Sequence, residues 1–302
     1  TRGRVMEVIE RYGYEPNSNA KHLKQLSTDC VAVIVRGRNN LFFSGILELL
    51  QKRIEAAGLR FLPHYIDEND DEAAAALRVY AERKVRGIIF MGGCHTDNGA
   101  MLSRLPIPCV YSTVNAAEGY APNVSSVSVD DRQGAKKAVD YLFDCGHENM
   151  VILSGETQGC NMAHQRYLGV LDSFKEHGKT IESSRVLVSP FSFSCAYERI
   201  KEYTGPDYTA IFAMSDTMAI GAARALMDSG KRVPEDVSVI GYDGIELAQY
   251  YHPALATMRQ PQQELADRSV ELLLESMDTD CAPKHIQLET ELIQGASVKH
   301  IS

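Results

Sequence analysis

Residues 208–244 read YTAIFAMSDTMAIGAARALMDSGKRVPEDVSVIGYDG, and this stretch decides the fold class. The apolar run at 210–214 is short and continuous, which is typical of a strand buried on both faces. Ser215 and Asp216 then favour a helix start, and apolar residues follow at helical spacing up to a glycine and a proline. A second apolar run at 237–240 predicts another buried strand. The stretch is therefore a βαβ unit.

Both predicted strands of this unit end in polar residues. Ser215 and Asp216 follow the first strand, and Tyr242 and Asp243 follow the second. The carboxyl ends of parallel strands lie at one edge of a sheet, and open α/β sheets bind their ligands there. We therefore expect a binding site at this edge.

The composition excludes several classes of protein. The 302 residues are 44% hydrophobic and 24% charged, which is typical of a globular chain of about two domains. No apolar run approaches the ~20 residues that a membrane-spanning helix needs, and the first residues lack the apolar core of a signal peptide. The seven cysteines form no CxxC pair, which favours a reducing cytoplasm over a disulfide framework.

The net charge of −9 argues against a chain that binds nucleic acid over its whole surface. The charge is uneven, since residues 1–29 hold five basic and four acidic groups while the remainder is acidic. Any contact with DNA is expected from the first thirty residues. Within them, residues 1–13 and 18–26 predict two helices, and the second is too short to be stable alone in water.

From Cys30 onward, predicted buried strands alternate with amphipathic helices. Nine strands are predicted, at residues 31–35, 59–63, 87–91, 109–112, 124–129, 150–153, 186–189, 210–214 and 237–240. Helices are predicted at residues 43–57, 70–83, 131–145, 163–177, 195–203, 216–229 and 262–277. Nine strands are many for one small sheet, and the pattern breaks after Cys145. The sequence therefore predicts two doubly wound α/β domains side by side.

The common catalytic motifs are absent. No GxGxxG follows a strand, and neither a GxxxxGK[ST] loop nor a GxSxG elbow is present. Cys160 and His164 stand four residues apart, but two potential ligands do not make a metal site. Asp130 and Asp131 precede a helix, where capping explains them. With no nucleophile–base pair and no metal constellation, we expect no enzymatic activity, no metal and no cofactor.

Aromatic residues and one arginine suggest a binding pocket instead. Phe42 and Phe43 close the loop after the first strand, where both cannot face the core, and Phe191 stands in the loop after another strand. Arg166 lies early in a helix, where the helix dipole disfavours a cation, so it is expected to point into a cleft and bind oxygen atoms. Together with Asp243 these residues predict a pocket with apolar faces and a few fixed polar groups.

Several motifs resemble the lac repressor/galactose repressor family of bacterial transcription regulators. NNLFF after the first strand is similar to the family's SNPFF, RYLG at 166–169 to its RxxG, and CGH at 145–147 to its domain boundary. The stretches AMSDTMAIGA and VPEDVSVIGYD in 213–243 and PALATMRQP at 253–261 are close matches. Residues 2–26 resemble the end of the family's DNA-binding head and its hinge helix.

The chain also departs from the family pattern. It begins inside the DNA-binding head, so the helices that read bases in the family are expected to precede it. Ser215 replaces a common asparagine and Leu41 replaces the usual proline. Gln294-Gly295-Ala296-Ser297 stands where an RxS is common, which places a late structural contact in doubt.

The resemblance implies a two-lobed core of periplasmic-binding-protein type behind the head and hinge at 1–29. The first lobe would comprise 30–145 and 260–288, and the second 146–259 and 289–302. An effector in the cleft would change lobe closure and so move the paired hinge helices of a homodimer in the minor groove. The hinge contacts with operator DNA are expected from Asn17, Ala20, Lys21 and Leu23, with Leu23 as the wedge between base steps.

Carried over to this chain, the resemblance places Phe42 and Phe43 on the first-lobe side of the cleft. Arg166, Phe191, Ser215 and Asp243 would line the second-lobe side, with Gln260 at a crossover, whereas Asp216 is interpreted as a helix cap. Alanine at 166 or 243 is expected to abolish effector binding and leave the fold intact.

Two charged groups and an aromatic face suit a sugar or sugar derivative, although the family also includes purine-like corepressors. The alternative is a sugar-binding protein of a transport system, which would share the fold and the cleft without binding DNA. The absence of a signal peptide and the hinge-like segment at 16–26 favour the regulator.

Overall fold

The computed structural model describes residues 29–301, except 38–39, 68–69, 94–97, 117–118, 160 and 280. The predicted head remnant and hinge, including Asn17, Ala20, Lys21 and Leu23, lie outside the described residues. The strands are β1 Cys30–Arg36, β2 Arg60–Ile66, β3 Gly87–Met91, β4 Cys109–Ser112, β5 Val124–Val129, β6 Met150–Ser154, β7 Val186–Val188, β8 Ala210–Ala213, β9 Ser238–Asp243, β10 Ala256–Arg259, β11 His285–Leu288 and β12 Glu291–Ile293. The helices are α1 Leu41–Ala56, α2 Glu72–Arg83, α3 Gly99–Leu102, α4 Asp131–Asp144, α5 Met162–Glu176, α6 Phe193–Lys201, α7 Asp216–Asp228, α8 Glu246–Tyr250 and α9 Gln262–Asp278.

The strands form two six-stranded sheets. The first has the order β2-β1-β3-β4-β5-β11, and the second has the order β7-β6-β8-β9-β10-β12. All pairs are parallel except β10 with β12. The strand order reverses at β1 in the first sheet and at β6 in the second, and such switch points are where doubly wound sheets bind ligands. The predicted fold class is confirmed.

The nine predicted strands all form, whereas β10, β11 and β12 were not predicted. These three have three or four residues each and lie where the chain passes between the two sheets. Their apolar runs are too short for a periodic pattern to appear, so only their position beside another strand makes them strands.

The predicted boundary after Cys145 is wrong, because α4 belongs to the second sheet. Its buried face, with Ala135, Val139 and Leu142, packs in one core with β6, β8, β9 and β10. The same helix packs along α5, which follows β6. The chain therefore crosses from the first sheet to the second at Asp130, one helix earlier than expected. Conversely, α9 packs on α1 and on β3, β4 and β5, so the chain has returned to the first sheet by Gln262.

Within the described part of the chain, three crossovers join the two sheets, and their positions show how the sheets face each other. The first leaves the carboxyl end of β5 and the second leaves the carboxyl end of β10. The third leaves the carboxyl end of β11 and enters β12, where Glu291 pairs with Arg259 at the end of β10. Every crossover thus links the carboxyl edges of the two sheets, which places the ligand-binding edges opposite one another.

Candidate functional site

A buried arginine forms the centre of the site at the carboxyl edge of the second sheet. Arg166 lies in the second turn of α5 and is only 2% exposed. Its Nε donates to Asp131 Oδ1 at 2.8 Å, and its Nη1 donates to the carbonyl oxygen of Met214 at the end of β8. Its Nη2 lies 3.4 Å from Asp243 Oδ1. These partners of Arg166 are oxygen atoms of the protein itself, so its predicted contact with effector oxygens stays a prediction.

The strand β9 supplies both a platform and an acceptor for this arginine. The guanidinium carbon of Arg166 lies 3.7 Å from the centre of the Tyr242 ring, a cation–π contact. The next residue, Asp243, accepts from Gln260 Nε2 at 2.8 Å through the same Oδ1 that faces Arg166. Gln260 lies at the second crossover between the sheets. The geometry thus connects the predicted residues 166, 243 and 260 in one network that reaches the crossover.

Burial and neighbouring opposite charges shift the pKa values of the groups in this network in opposite directions. Burial disfavours the charged guanidinium, but the carboxylates of Asp131 and Asp243 outweigh it and raise the pKa of Arg166. Burial raises the pKa of Asp243 to about 6, although Arg166 and the Gln260 amide favour its charged form. Burial likewise raises the pKa of Asp131. Burial therefore disfavours the ionised form of Asp243, and additional hydrogen-bond donors would stabilise that form.

Ser215 and Phe191 lie around the network in different ways. Ser215 is buried and its hydroxyl accepts from Met218 N at 3.2 Å, so it caps α7. The Phe191 side chain is 38% exposed and its ring lies over Gly155, where a Cβ would come within 3 Å of it. Gly155 follows β6, the strand at the switch point. Phe191 therefore presents a partly open aromatic face at this edge, and its contact with an effector stays a prediction, as does that of Ser215.

The expectation that Phe42 and Phe43 cannot both be buried is wrong. They lie in the first turn of α1, whose N-cap Asn40 accepts from both of their amides, and both are buried. Consecutive helix residues point about 100° apart, so two core surfaces can receive them. Phe43 packs over the backbone of Gly92 at the carboxyl end of β3. Both rings therefore lie in the core of the first lobe, and their predicted contact with an effector stays a prediction.

The first sheet carries its own polar cluster, which the sequence did not predict. Glu72 is buried, accepts from the Tyr111 hydroxyl at 2.6 Å through Oε1, and pairs with Arg36 Nη2 at 3.1 Å through Oε2. Gly93 makes room for this carboxylate, since a Cβ there would come within 3 Å of it. Burial, followed by the Glu72 charge, raises the pKa of Tyr111. Arg36 is the last residue of β1 and Tyr111 is the residue before the last in β4, so the cluster lies near the carboxyl edge of the first sheet.

Asp131 is a candidate site residue that sequence reasoning interpreted only as part of a helix cap. Asp130 caps α4 by accepting from Gln133 N at 2.9 Å, as predicted, but Asp131 turns to Arg166 instead. Both acids lie at the start of the same helix, and helix capping explains the presence of either of them equally well. No local signal distinguishes them, because the partner of Asp131 lies 35 residues further along the chain.

The helices α4 and α5, which carry Asp131 and Arg166, pack closely at Gly169. A Cβ on Gly169 would come within 3 Å of the Arg132 carbonyl oxygen and of Lys136 N. We therefore expect Gly169→Ala to lower the free energy of unfolding in urea by about 1–3 kcal/mol, through overpacking. Without that neighbour, the same change in a helix would stabilise by about 1 kcal/mol. Leu171→Ala, at an exposed site on the same helix, is the matched control. Equal effects from both variants would contradict the close-packing explanation.

The remaining candidate ligands from the sequence are Cys160 and His164. Cys160 lies outside the described residues, and His164 Nδ1 contacts the Thr157 carbonyl oxygen at 2.6 Å. Among the residues the structure describes, no group of three or more histidines, cysteines or acids is arranged to hold a metal ion. Across the same ranges, no helix is long and apolar enough to span a membrane.

The fold and the site define a class, the two-lobed ligand-binding core of periplasmic-binding-protein type. Residues 139–298 match the family described as periplasmic binding protein-like domain. The HTH-type transcriptional regulator MalR of Clostridium butyricum is 32% identical over 309 residues, which cover 100% of this chain and 91% of that protein. The chain belongs to the lac repressor/galactose repressor (LacI/GalR) family of transcriptional regulators.

Solved structures agree with this assignment. The complex of the transcriptional regulator CelR with cellobiose has a TM-score of 0.79 at 26% identity, and the match covers 98% of this chain and 90% of that chain. A LacI family transcriptional regulator from Enterococcus faecium with bound ribose has a TM-score of 0.77 at 25% identity, covering 90% and 100%. These similarities support a ligand-responsive regulator and give no support to the transport alternative.

Proposed function

We propose that this regulator senses a sugar or sugar derivative, which binds between the facing carboxyl edges of the two sheets. The observation that supports this most is the network of Arg166, Asp243 and Gln260. It combines a buried acceptor and a buried cation at a strand end. The half-open ring of Phe191 lies at the same carboxyl edge, over Gly155. Sugars offer hydroxyl groups that donate to a carboxylate and accept from a guanidinium, and apolar ring faces that stack on aromatic side chains.

The network also supplies a route from the effector to lobe closure. Asp243 holds Gln260 at one crossover, and Arg166 holds Asp131 directly after another. A sugar that bonds to Asp243 contacts the acceptor of Gln260, which lies where the chain passes between the lobes. In the proposed mechanism the sugar makes better contacts in one lobe arrangement than in the other. It therefore selects that arrangement, as hinge-type switches require. No catalytic step is part of the proposal.

The remaining partners follow from the family. We propose that the chain acts in the cytoplasm as a homodimer and that lobe closure is transmitted to operator DNA. In this proposal Asn17, Ala20, Lys21 and Leu23 contact the minor groove through paired hinge helices. Coupled ordering of a short helix on DNA agrees with the marginal stability expected of such a segment alone.

The test is a thermal-shift screen of the chain against cellobiose, ribose, sucrose, other mono- and disaccharides, and nucleobases. A sugar at about 100 times its Kd should stabilise the chain by about 2.7 kcal/mol, a rise in Tm of several degrees. Calorimetric titration then gives the Kd. Stabilisation by a nucleobase alone, or by no sugar of the panel, would contradict the proposed effector class.

A further inference from the structure

A buried acid beside the site has no role in the proposed network and does not serve as the predicted helix cap. Asp216 is the first residue of α7 and is fully buried, at 0% exposure. The cap of that helix is the Ser215 hydroxyl. Asp216 instead reaches across to the loop after β9, where its Oδ2 accepts from Ile245 N at 2.8 Å. A carboxylate in such a place is costly to desolvate, so its hydrogen bond to the loop needs an explanation.

That loop holds Asp243 in an unusual backbone conformation. Asp243 has a φ of 107°, a region that residues with a side chain rarely adopt, and Gly244 follows with a φ of 71°. Such conformations persist only where the surrounding contacts enforce them. They decide the direction of the Asp243 side chain, and with it the contacts to Arg166 and Gln260.

The enforcing contacts come from both sides of the loop. Gly244 N donates to Thr257 Oγ1 at 3.2 Å, and Gln260 N donates to the Asp243 carbonyl oxygen at 3.0 Å, both from the β10 side. From α7, Asp216 accepts from the amide of Ile245. Asp216 is thus the contact from α7 that completes the enclosure of this turn.

The fold makes room for this carboxylate at one position. A Cβ on Gly241, two residues before Asp243 on β9, would come within 3 Å of Asp216 Oδ1. The absence of a side chain there lets the carboxylate pass over the strand and reach the loop. Burial, followed by the charge of Asp243, raises the pKa of Asp216 well above its usual range. The two acids are therefore electrostatically coupled as well as linked through the backbone.

We propose that Asp216 is a positioning residue for the effector site, whose buried carboxyl group clamps the Ile245 amide and so holds Asp243 in its binding orientation. This inference rests on the proposed function only in taking Asp243 as the effector contact. In this proposal Asp216 does not contact the effector. Its action passes through the backbone of residues 243–245.

The test compares variants that remove either end of the clamp with variants that keep it. Asp216→Ala removes the acceptor, whereas Asp216→Asn retains an oxygen that accepts from the amide. Ile245→Pro removes the donor, and the Ile245 φ of −65° suits proline. Ile245→Ala is its matched control, since it loses the same buried side chain and keeps the N–H.

Two measurements at 10 °C, well below unfolding, give the result. By hydrogen-exchange mass spectrometry, exchange in residues 243–250 should rise at least tenfold in Asp216→Ala and Ile245→Pro, and less than threefold in Asp216→Asn and Ile245→Ala. By calorimetry with cellobiose, ribose and sucrose, whichever sugar binds the unmodified chain should bind the first two variants at least 30-fold more weakly.

The outcomes separate the inference from the proposed function. Unchanged exchange and affinity in Asp216→Ala would overturn the clamp, even if its Tm fell, because a purely structural role lowers Tm alone. If Asp216→Ala does not fold, the comparison of Ile245→Pro with Ile245→Ala decides in the same way. If none of the three sugars binds the unmodified chain, the effector class is in error, and the exchange measurement still decides whether the clamp exists.

Discussion

Arg166→Ala should lower the free energy of unfolding by about 3–5 kcal/mol at pH 7.5 and abolish effector binding. The sequence alone predicted that this change would leave the fold intact, but Arg166 is among the largest fully buried side chains. Its removal leaves the carboxyl groups of Asp131 and Asp243 buried without their cation. Urea unfolding measures the loss of stability, and calorimetry with the sugar found in the screen measures the loss of binding.

The pH dependence identifies the cause of that instability. Burial already raises the pKa of Asp131 and of Asp243, and without Arg166 both should rise further. Groups with a raised pKa in the folded state contribute stability at low pH and lose it as the pH rises through that pKa. The deficit of Arg166→Ala should therefore be smaller at pH 5 than at pH 7.5.

The matched control for Arg166 is Arg132, which pairs with Asp172 through two nitrogens on the exposed side of the same helix pair. Exposed pairs of this kind contribute about 1 kcal/mol or less. Arg132→Ala should therefore cost little and leave sugar binding unchanged. A deficit for Arg166→Ala no larger than that of Arg132→Ala would show that the buried network does not stabilise the second lobe.

Asp243→Asn should weaken sugar binding about 100-fold without lowering stability at pH 7.5, whereas Arg166→Ala should lower both. The loss of affinity follows because hydrogen bonds to a charged acceptor contribute about 1.5–3 kcal/mol. Stability is expected to stay within about 1 kcal/mol or to rise, since an asparagine oxygen still accepts from Gln260 and the cost of burying a charge is removed. Calorimetry and urea unfolding on the same samples separate the two effects.

The Asp243 carboxyl group makes both the stability of the fold and the affinity for sugar depend on pH. The folded-state pKa of Asp243 is about 6, above its usual value of 3.8, so its contribution to stability is complete below about pH 4 and is lost as the pH rises through 6. Sugar hydroxyls that donate to the carboxylate favour its ionised form. Affinity should therefore rise between pH 5 and 7 and then level off, with proton release on binding near pH 6. A pH-independent affinity in the unmodified chain would exclude Asp243 as the acceptor.

Some residues of the site were predictable from the sequence and others were not. The place of Asp243 at a strand end follows from a buried apolar run and a βαβ order, and both are local patterns. The role of Asp216 does not follow, because its partner Ile245 lies 29 residues away and a helix cap is an equally good local explanation. Phe42 and Phe43 were placed in a loop because the cap at Asn40, which starts α1 two residues earlier, was not recognised.

Local sequence patterns were enough to predict that this protein has two doubly wound α/β lobes and an acid at a strand end of the second. Periodic burial and turn residues are encoded over a few neighbouring positions, so they can be read without a partner. The tertiary structure alone decided that α4 joins the second lobe, that Arg166 is buried between Asp131 and Asp243, and that Asp216 clamps the loop after β9. An amphipathic pattern shows that a helix has a buried face but not which sheet covers it, and a charged residue shows no partner until the chain brings one beside it.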